Sequence, residues 1–173
     1  MTALFYCSAN ESIAPQYNEA ARQAVRAACV AGYRISSGGT VKGTMRVVSE
    51  EALACGAFTK GVIPRFMEDL VYPGLSQTLW TSTMSERKAV MLEDADLVVA
   101  LPGGIGTMDE LFGTLVLAKL GRFSGRIAVL NVDGFYDPLL ALLDHFVSEG
   151  MLSASERSLL LTPRTVKEFE ELL

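Results

Sequence analysis

The sequence predicts an open, doubly wound parallel α/β sheet in three layers, folded as one domain over residues 1–173. Three observations lead there. Strand-like apolar runs alternate with helical periodicity from end to end. The run Leu97-Val98-Val99-Ala100 is apolar throughout, which suits a parallel strand covered on both faces. Two glycine-rich turns, after Ile35 and after Leu101, lead from strand to helix, where such sheets bind ligands. A length of 173 residues suits one domain with a sizeable core.

The elements follow in order. Residues 4–7 read as a first strand. Residues 12–31 read as a helix, with Ile13, Tyr17, Ala20, Ala24 and Ala28 along one face and Gly32 as its stop. A short strand at 33–36 runs into Ser37-Gly38-Gly39, and a helix over 44–55 closes at Gly56. Residues 58–63 form a third strand, stopped by Pro64. Residues 65–77 read as a loop covering something, and 79–81 as a further strand. A helix at 84–95, a strand at 97–101, a helix at 107–120, a strand at 127–131 and a helix at 138–149 complete the main alternation. The tail carries a helix near Ser153, a short strand at 159–161 and a last helix after Pro163. The helix after Thr107 is apolar nearly all round (Leu111, Phe112, Leu115, Val116, Leu117). Its second apolar face needs either a neighbouring helix or a second subunit.

Composition excludes several classes. Hydrophobic residues are 50% and charged residues 20%, so the chain is not disordered. No apolar run approaches a membrane span, and the first residues lack the basic start of a signal peptide, so a cytoplasmic location is expected. A net charge of -5 argues against a nucleic-acid partner. Cys7, Cys29 and Cys55 are widely spaced and read as buried thiols, and the lone His145 reads as a half-exposed helical residue. No His/Cys cluster supports a metal.

The stretch Leu101-Pro102-Gly103-Gly104-Ile105-Gly106-Thr107-Met108-Asp109-Glu110 carries most of the chemistry. Glycines admit close backbone approach, and a helix start offers unpaired N–H groups and a positive dipole end, so an anion site is expected. Asp109 stands where a G-x-G-x-x-G fingerprint needs its third glycine, and the Walker lysine is missing. Thr107 and Glu110 also have capping-box spacing, so Glu110 either caps the helix or serves chemistry. Arg87 and Lys88 sit near another helix start, where cations oppose the dipole; they are either solvated charges or face an anion.

At these residues the chain resembles the LOG ("Lonely guy") family, the cytokinin riboside 5′-monophosphate phosphoribohydrolases, once called lysine decarboxylases. Pro102 through Glu110 match the hallmark P-G-G-x-G-T-x-x-E in full. Arg87 and Lys88 match the preceding R-K pair, with Met84 in the expected place, and Leu130 through Leu140 look like the family segment after the next strand. The resemblance implies a Rossmann-like fold and a homodimer with sites near the interface. It implies hydrolysis of the N-glycosidic bond of a nucleoside 5′-monophosphate to free base and ribose 5-phosphate, with no cofactor and no metal. Carried over, Gly103, Gly104, Gly106 and Thr107 hold phosphate; Gly39, Met84 and Lys88 contribute to substrate binding; Arg87 and Glu110 are the catalytic pair. Cleavage builds positive charge on the sugar, which a carboxylate can stabilise, or the carboxylate can activate water. Arg87 either binds phosphate or stabilises the departing base. A Schiff base at Lys88 finds no other support in the sequence.

The departures lie at the rim. The first strand ends in Cys7-Ser8-Ala9-Asn10 rather than C-G-S-S. Thr40 and Arg46 replace two glycines of the second turn, and Ser85 replaces a histidine. Val116-Leu117-Ala118-Lys119 lacks the family's Trp and Gln. These bear on base selectivity more than on reaction type. The expected substrate is an AMP-like or cytokinin-type nucleotide. The competing readings are a non-catalytic carrier of a nucleotide or phosphorylated cofactor, and a structural dimer with a vestigial pocket.

Overall fold

The computed structural model describes residues 1–173. Strands β1 (Thr2–Tyr6), β2 (Arg34–Ser37), β3 (Thr59–Pro64), β4 (Gln77–Thr81), β5 (Leu97–Ala100), β6 (Arg126–Val129) and β7 (Leu160–Leu161) form one seven-stranded sheet in the order β4-β3-β2-β1-β5-β6-β7. Every pairing is parallel. The order reverses between β1 and β5, so a crevice opens beyond their carboxyl ends, where ligands of doubly wound sheets bind.

Helices α1 (Pro15–Val30), α2 (Gly43–Ala54), α3 (Met84–Leu92), α4 (Ile105–Lys119), α5 (Asp137–Ser148), α6 (Ala154–Arg157) and α7 (Val166–Glu170) complete the chain. They divide between the faces because side chains alternate along each strand. Ala3 and Phe5 of β1 join Ala21, Ala24 and Val25 of α1, Val48 of α2 and Phe169 of α7 in one core. Leu4 and Tyr6 join Met91 of α3, Leu111 of α4 and Leu143 of α5 in the other. Two buried faces explain the near-continuous apolar strands. The fold is the expected three-layer, Rossmann-like α/β sheet.

Several details depart from expectation. Residues 65–77 are not all loop: Arg65–Leu70 form a short 3-10 helix, tied to the second glycine turn by the Thr40–Val71 bridge. α1 begins at Pro15 rather than near residue 12, since proline's fixed φ favours the first helical position. Only Cys7 of the three free thiols is buried; Cys29 is half-buried and Cys55 exposed, both lying at helix ends. His145 is exposed in the last turn of α5. The second apolar face of α4 is open in part: Val116 is 54% exposed, and an apolar groove separates α4 from α5 and α6. No helix is long and apolar enough to cross a membrane.

Candidate functional site

The carboxyl ends of β1, β2, β3 and β5 border a cleft of about 390 Å³, within the usual range of small-molecule sites. Its polar wall includes Ser8, Asn10, Thr40, Lys42, Arg87, Thr107, Asp109 and Glu110. Its apolar wall is formed by Met45, Pro64, Met67, Leu70 and Met84. The 3-10 segment supplies Met67 and Leu70, so the stretch expected to cover something does cover the cleft.

α4 starts two residues earlier than its sequence spacing suggests, and this changes the meaning of Glu110. Gly104 is the N-cap, and no side chain caps the helix. Thr107 is therefore inside the first turn, and of the two readings that the spacing leaves open the Thr107–Glu110 capping box is the one that does not form. The first-turn N–H groups keep no intrahelical partner. The first turn also contains no acidic residue. Of the buried side-chain oxygens without a partner, those of Ser36, Ser49, Thr81 and Thr107, only Thr107 Oγ1 belongs to a residue lining the cleft. Gly103 makes room for it, since a Cβ there would lie 2.2 Å from Thr107 Oγ1.

The early start also places Thr107, Glu110, Leu111 and Thr114 on one buried stripe of α4. Glu110 then faces α3 across the cleft floor. Arg87 Nη1 donates to Glu110 Oε1 at 2.6 Å, and both side chains are 7% exposed. Arg87 Nε donates to the Val62 carbonyl at 2.9 Å. Arg87 is thus no solvated charge: it is oriented by β3 and neutralised by α4. Below the pair, the Tyr6 hydroxyl lies 2.8 Å from Thr114 Oγ1, which donates to the Glu110 carbonyl at 2.9 Å. Burial raises the Glu110 carboxyl above the ordinary carboxylate range; the Arg87 charge and hydrogen bond oppose that without cancelling it.

Lys88 and Asp109, each one residue along from the buried pair, form a more exposed pair of their own at 2.7 Å. Lys88 lies outside the cleft, in a crevice between α3 and α4 that Glu110 also lines from behind. Met84, Gly104, Gly106 and Thr107 line the cleft. Gly103 borders an adjoining hollow with Tyr17 and Phe135. In the second turn, Gly38 reaches the cleft and Gly39 does not. Gly39 has φ +65° and lies against β3, where a Cβ would come 2.6 Å from Gly61 Cα. Its freedom serves close packing, whereas Gly38 leaves space for the Arg87 guanidinium.

Thr40 hydrogen-bonds Met45 Sδ at 3.4 Å, and Arg46 turns away to Glu50 at 3.1 Å. Of the two departures from the glycine pattern, Thr40 therefore lines the cleft and Arg46 lies outside it. The sequence placed Gly38, Lys42 and Met45 in a glycine turn at a ligand-binding strand end, and Met67 and Leu70 in a covering stretch, but it assigned none of them, nor Asn10, to the lining individually. Lys42 is the cleft's one lysine, and its salt-bridge partner Glu11 lies 3.7 Å away. Their convergence depends on loops separated in sequence, and no local spacing signals it. No group of His, Cys, Asp and Glu residues is arranged to hold a metal.

The sheet order and the cleft at its switch point define a Rossmann-like α/β domain. Comparisons with known proteins narrow the class. Residues 45–173 match the family model described as "possible lysine decarboxylase". A probable cytokinin riboside 5′-monophosphate phosphoribohydrolase of Oryza sativa subsp. japonica is 34% identical over 165 residues, spanning 94% of this chain and 74% of that one. A cytokinin riboside 5′-monophosphate phosphoribohydrolase of Arabidopsis thaliana is 31% identical over 170 residues, spanning 97% and 80%. The chain belongs to the LOG family. Among solved structures, the molybdenum cofactor binding protein of Rippkaea orientalis superposes with a TM-score of 0.75 at 20% identity, covering 99% of this chain and 94% of that one. The molybdenum cofactor carrier protein of Chlamydomonas reinhardtii gives 0.71 at 18%, covering 97% and 93%. At these identities the likeness is one of fold.

Proposed function

We propose that the protein hydrolyses the N-glycosidic bond of a nucleoside 5′-monophosphate, releasing a free base and ribose 5-phosphate. The observation that carries this reading is the buried Arg87–Glu110 pair beside the uncapped start of α4, in one cleft. The phosphate is held by the N–H groups of Ile105, Gly106 and Thr107 and by the unpartnered Thr107 hydroxyl. Gly103 and Gly104 keep the approach free of side chains. The ribose then lies toward Glu110, and the base toward Met84, Met67 and Leu70.

In the reaction, the C1′–N bond breaks and its electron pair leaves with the base, so positive charge builds on the sugar. The Glu110 carboxylate stabilises that charge and accepts a proton from the attacking water, whose oxygen bonds to C1′. The base takes up a proton from solvent as it leaves, and Glu110 returns the proton it accepted to solvent, so the net reaction consumes one water. A carboxylate raised by burial is a better proton acceptor than a solvated one, and Arg87 keeps its charged form accessible. Arg87, anchored on β3, also holds Glu110 Oε1 in place. Lys88, which lies outside the cleft and is paired to Asp109, is poorly placed for the Schiff base that a decarboxylase would need.

The substrate class is AMP-like or cytokinin-type nucleotides; the names of the relatives support the cytokinin type. A homodimer with the site near its interface, and a cytoplasmic location suited to free thiols, belong to the same proposal. The test is product analysis across a nucleotide panel. Free base and ribose 5-phosphate in equal amounts are expected. Tight binding without products would replace the reading with a carrier, and no nucleotide-induced thermal shift would leave a vestigial pocket.

A further inference from the structure

The start of α4 is only as well aimed as the loop that delivers the chain into it. That loop leaves β5 at Leu101, whose N–H donates to the Tyr6 carbonyl at 2.9 Å. The next residue, Pro102, has no N–H and a fixed φ, so it cannot extend the ladder. One group outside the loop takes over. The Tyr136 hydroxyl donates to the Leu101 carbonyl at 2.6 Å, with Tyr136 only 2% exposed. Because the peptide bond is planar, holding that carbonyl fixes the plane of the Leu101–Pro102 peptide. With proline's φ also fixed, the Pro102 ψ is the one soft torsion left before the backbone enters Gly103 and Gly104.

Tyr136 is itself braced. Its backbone N–H donates to Asn131 Oδ1 at 2.7 Å, and Asn131 is fully buried. Asn131 Nδ2 donates to Asp137 Oδ1 at 2.7 Å, and Arg164 Nη2 donates to Asp137 Oδ2 at 3.0 Å. The Asn131 N–H donates to the Pro163 carbonyl at 2.8 Å. The ring packs edge-on against Phe135 at 4.9 Å. Burial keeps the hydroxyl protonated, hence a donor, over the working range of pH.

We propose that Tyr136 is a positioning residue that aims the phosphate loop from the segment between β6 and α5. This rests on the reading that the loop holds the substrate's phosphate. It neither touches the reacting atoms nor lines the cleft. Its effect therefore falls on phosphate-dependent binding, and the bond-breaking step is largely spared.

The variant is Tyr136→Phe, which keeps the ring and removes the hydroxyl. Tyr33→Phe is the control. It loses another buried tyrosine hydroxyl contact, the 2.7 Å bond from Arg126 at the opposite end of the sheet. Ribose 5-phosphate binding is measured by thermal shift, alongside kcat and KM on the best nucleotide. For Tyr136→Phe, the dissociation constant for ribose 5-phosphate and KM rise together by about fivefold to twentyfold, the size of one lost buried hydrogen bond. kcat stays within about threefold, and inhibition by the free base is unchanged. Tyr33→Phe lowers the Tm and leaves ribose 5-phosphate binding alone.

Unchanged ribose 5-phosphate binding in Tyr136→Phe would overturn the inference, as would a fall in kcat with KM unchanged. Failure of the wild-type protein to bind ribose 5-phosphate would overturn it too. A protein that binds ribose 5-phosphate but hydrolyses no nucleotide sinks the hydrolase reading alone, because the clamp is still read by the thermal shift.

Discussion

The starts of α3 and α4 both contribute to the cleft, and they are built in opposite ways. α3 is finished from within its own sequence. Thr83 Oγ1 accepts from the Glu86 N–H at 3.1 Å, and Glu86 reaches back to the Ser82 N–H at 2.7 Å. α4 has no side-chain cap and no acid in its first turn, and Thr107 Oγ1 has no partner. A cap is worth about 1 kcal/mol, so the bare end of α4 forgoes stability that α3 collects. What it keeps is a set of donors with nothing of the chain's own to bind. The two helices meet through Arg87 and Glu110: the self-sufficient helix supplies the cation, and the incomplete one supplies the carboxylate.

Breaking the link between them is expected to have the largest effect. Arg87→Ala leaves Glu110 buried without a partner and should cost about 3–5 kcal/mol of stability, measured by denaturant unfolding. Glu110→Gln is milder for the fold, since the amide still accepts from Arg87. It should nevertheless lower kcat by at least about a hundredfold. Turnover unchanged in Glu110→Gln would remove Glu110 from the chemistry.

The pH profile sharpens the same point. In the proposed reaction Glu110 works as a carboxylate, and burial raises its pKa, so activity should climb with pH through a limb above the ordinary carboxylate range. That limb should vanish from the residual activity of Glu110→Gln. Stability runs the other way for this group. Its folded-state pKa lies above its unfolded value, so its contribution is complete below the unfolded pKa and is lost as pH rises through the folded one.

Gly38→Ala tests the placement of Arg87 from the other side. A Cβ at residue 38 would lie 2.3 Å from Arg87 Nη2 and 2.7 Å from Met45 Sδ, both ends of flexible side chains. The fold should survive while the guanidinium shifts, giving about a tenfold loss of kcat/KM. A loss of Tm with full activity would contradict this.

Smaller effects separate the two helix starts directly. Thr107→Val removes a hydroxyl that has no partner, so stability should hold or rise slightly, while KM for the nucleotide rises about threefold to tenfold. Thr83→Ala should do the reverse, costing about 1 kcal/mol with KM unchanged. If both variants behaved alike in thermal unfolding and in KM, the distinction between a structural and a ligand-facing helix start would fall.

The fold was legible because its signals are local. Apolar runs of strand length, glycine stops and helical periodicity need only neighbouring residues, and all the expected strands appear in the one sheet. The boundary of α4 was harder. Thr107 and Glu110 have the spacing of a cap, but the helix starts at Ile105, and the packing of the stripe Thr107, Glu110, Leu111 and Thr114 against the sheet decides which turn comes first. The family hallmark pointed to Arg87 and Glu110 as a pair, yet nothing in their spacing said that they touch. They are 23 positions apart and meet only because α3 and α4 cover the same face of the sheet.

By itself, then, the sequence determined the alternation of strands and helices, the glycine turns at two strand ends, and a hallmark specific enough to indicate the family. Tertiary structure alone decided that Glu110 faces Arg87 instead of capping its own helix. It also decided that Gly38 and not Gly39 borders the cleft, and that Tyr136 grips the Leu101 carbonyl from 35 residues away. The physical reason is one of range. Backbone propensity and periodicity act within a few residues, whereas desolvation, charge pairing and hydrogen-bond reach act only between groups that packing has already brought together.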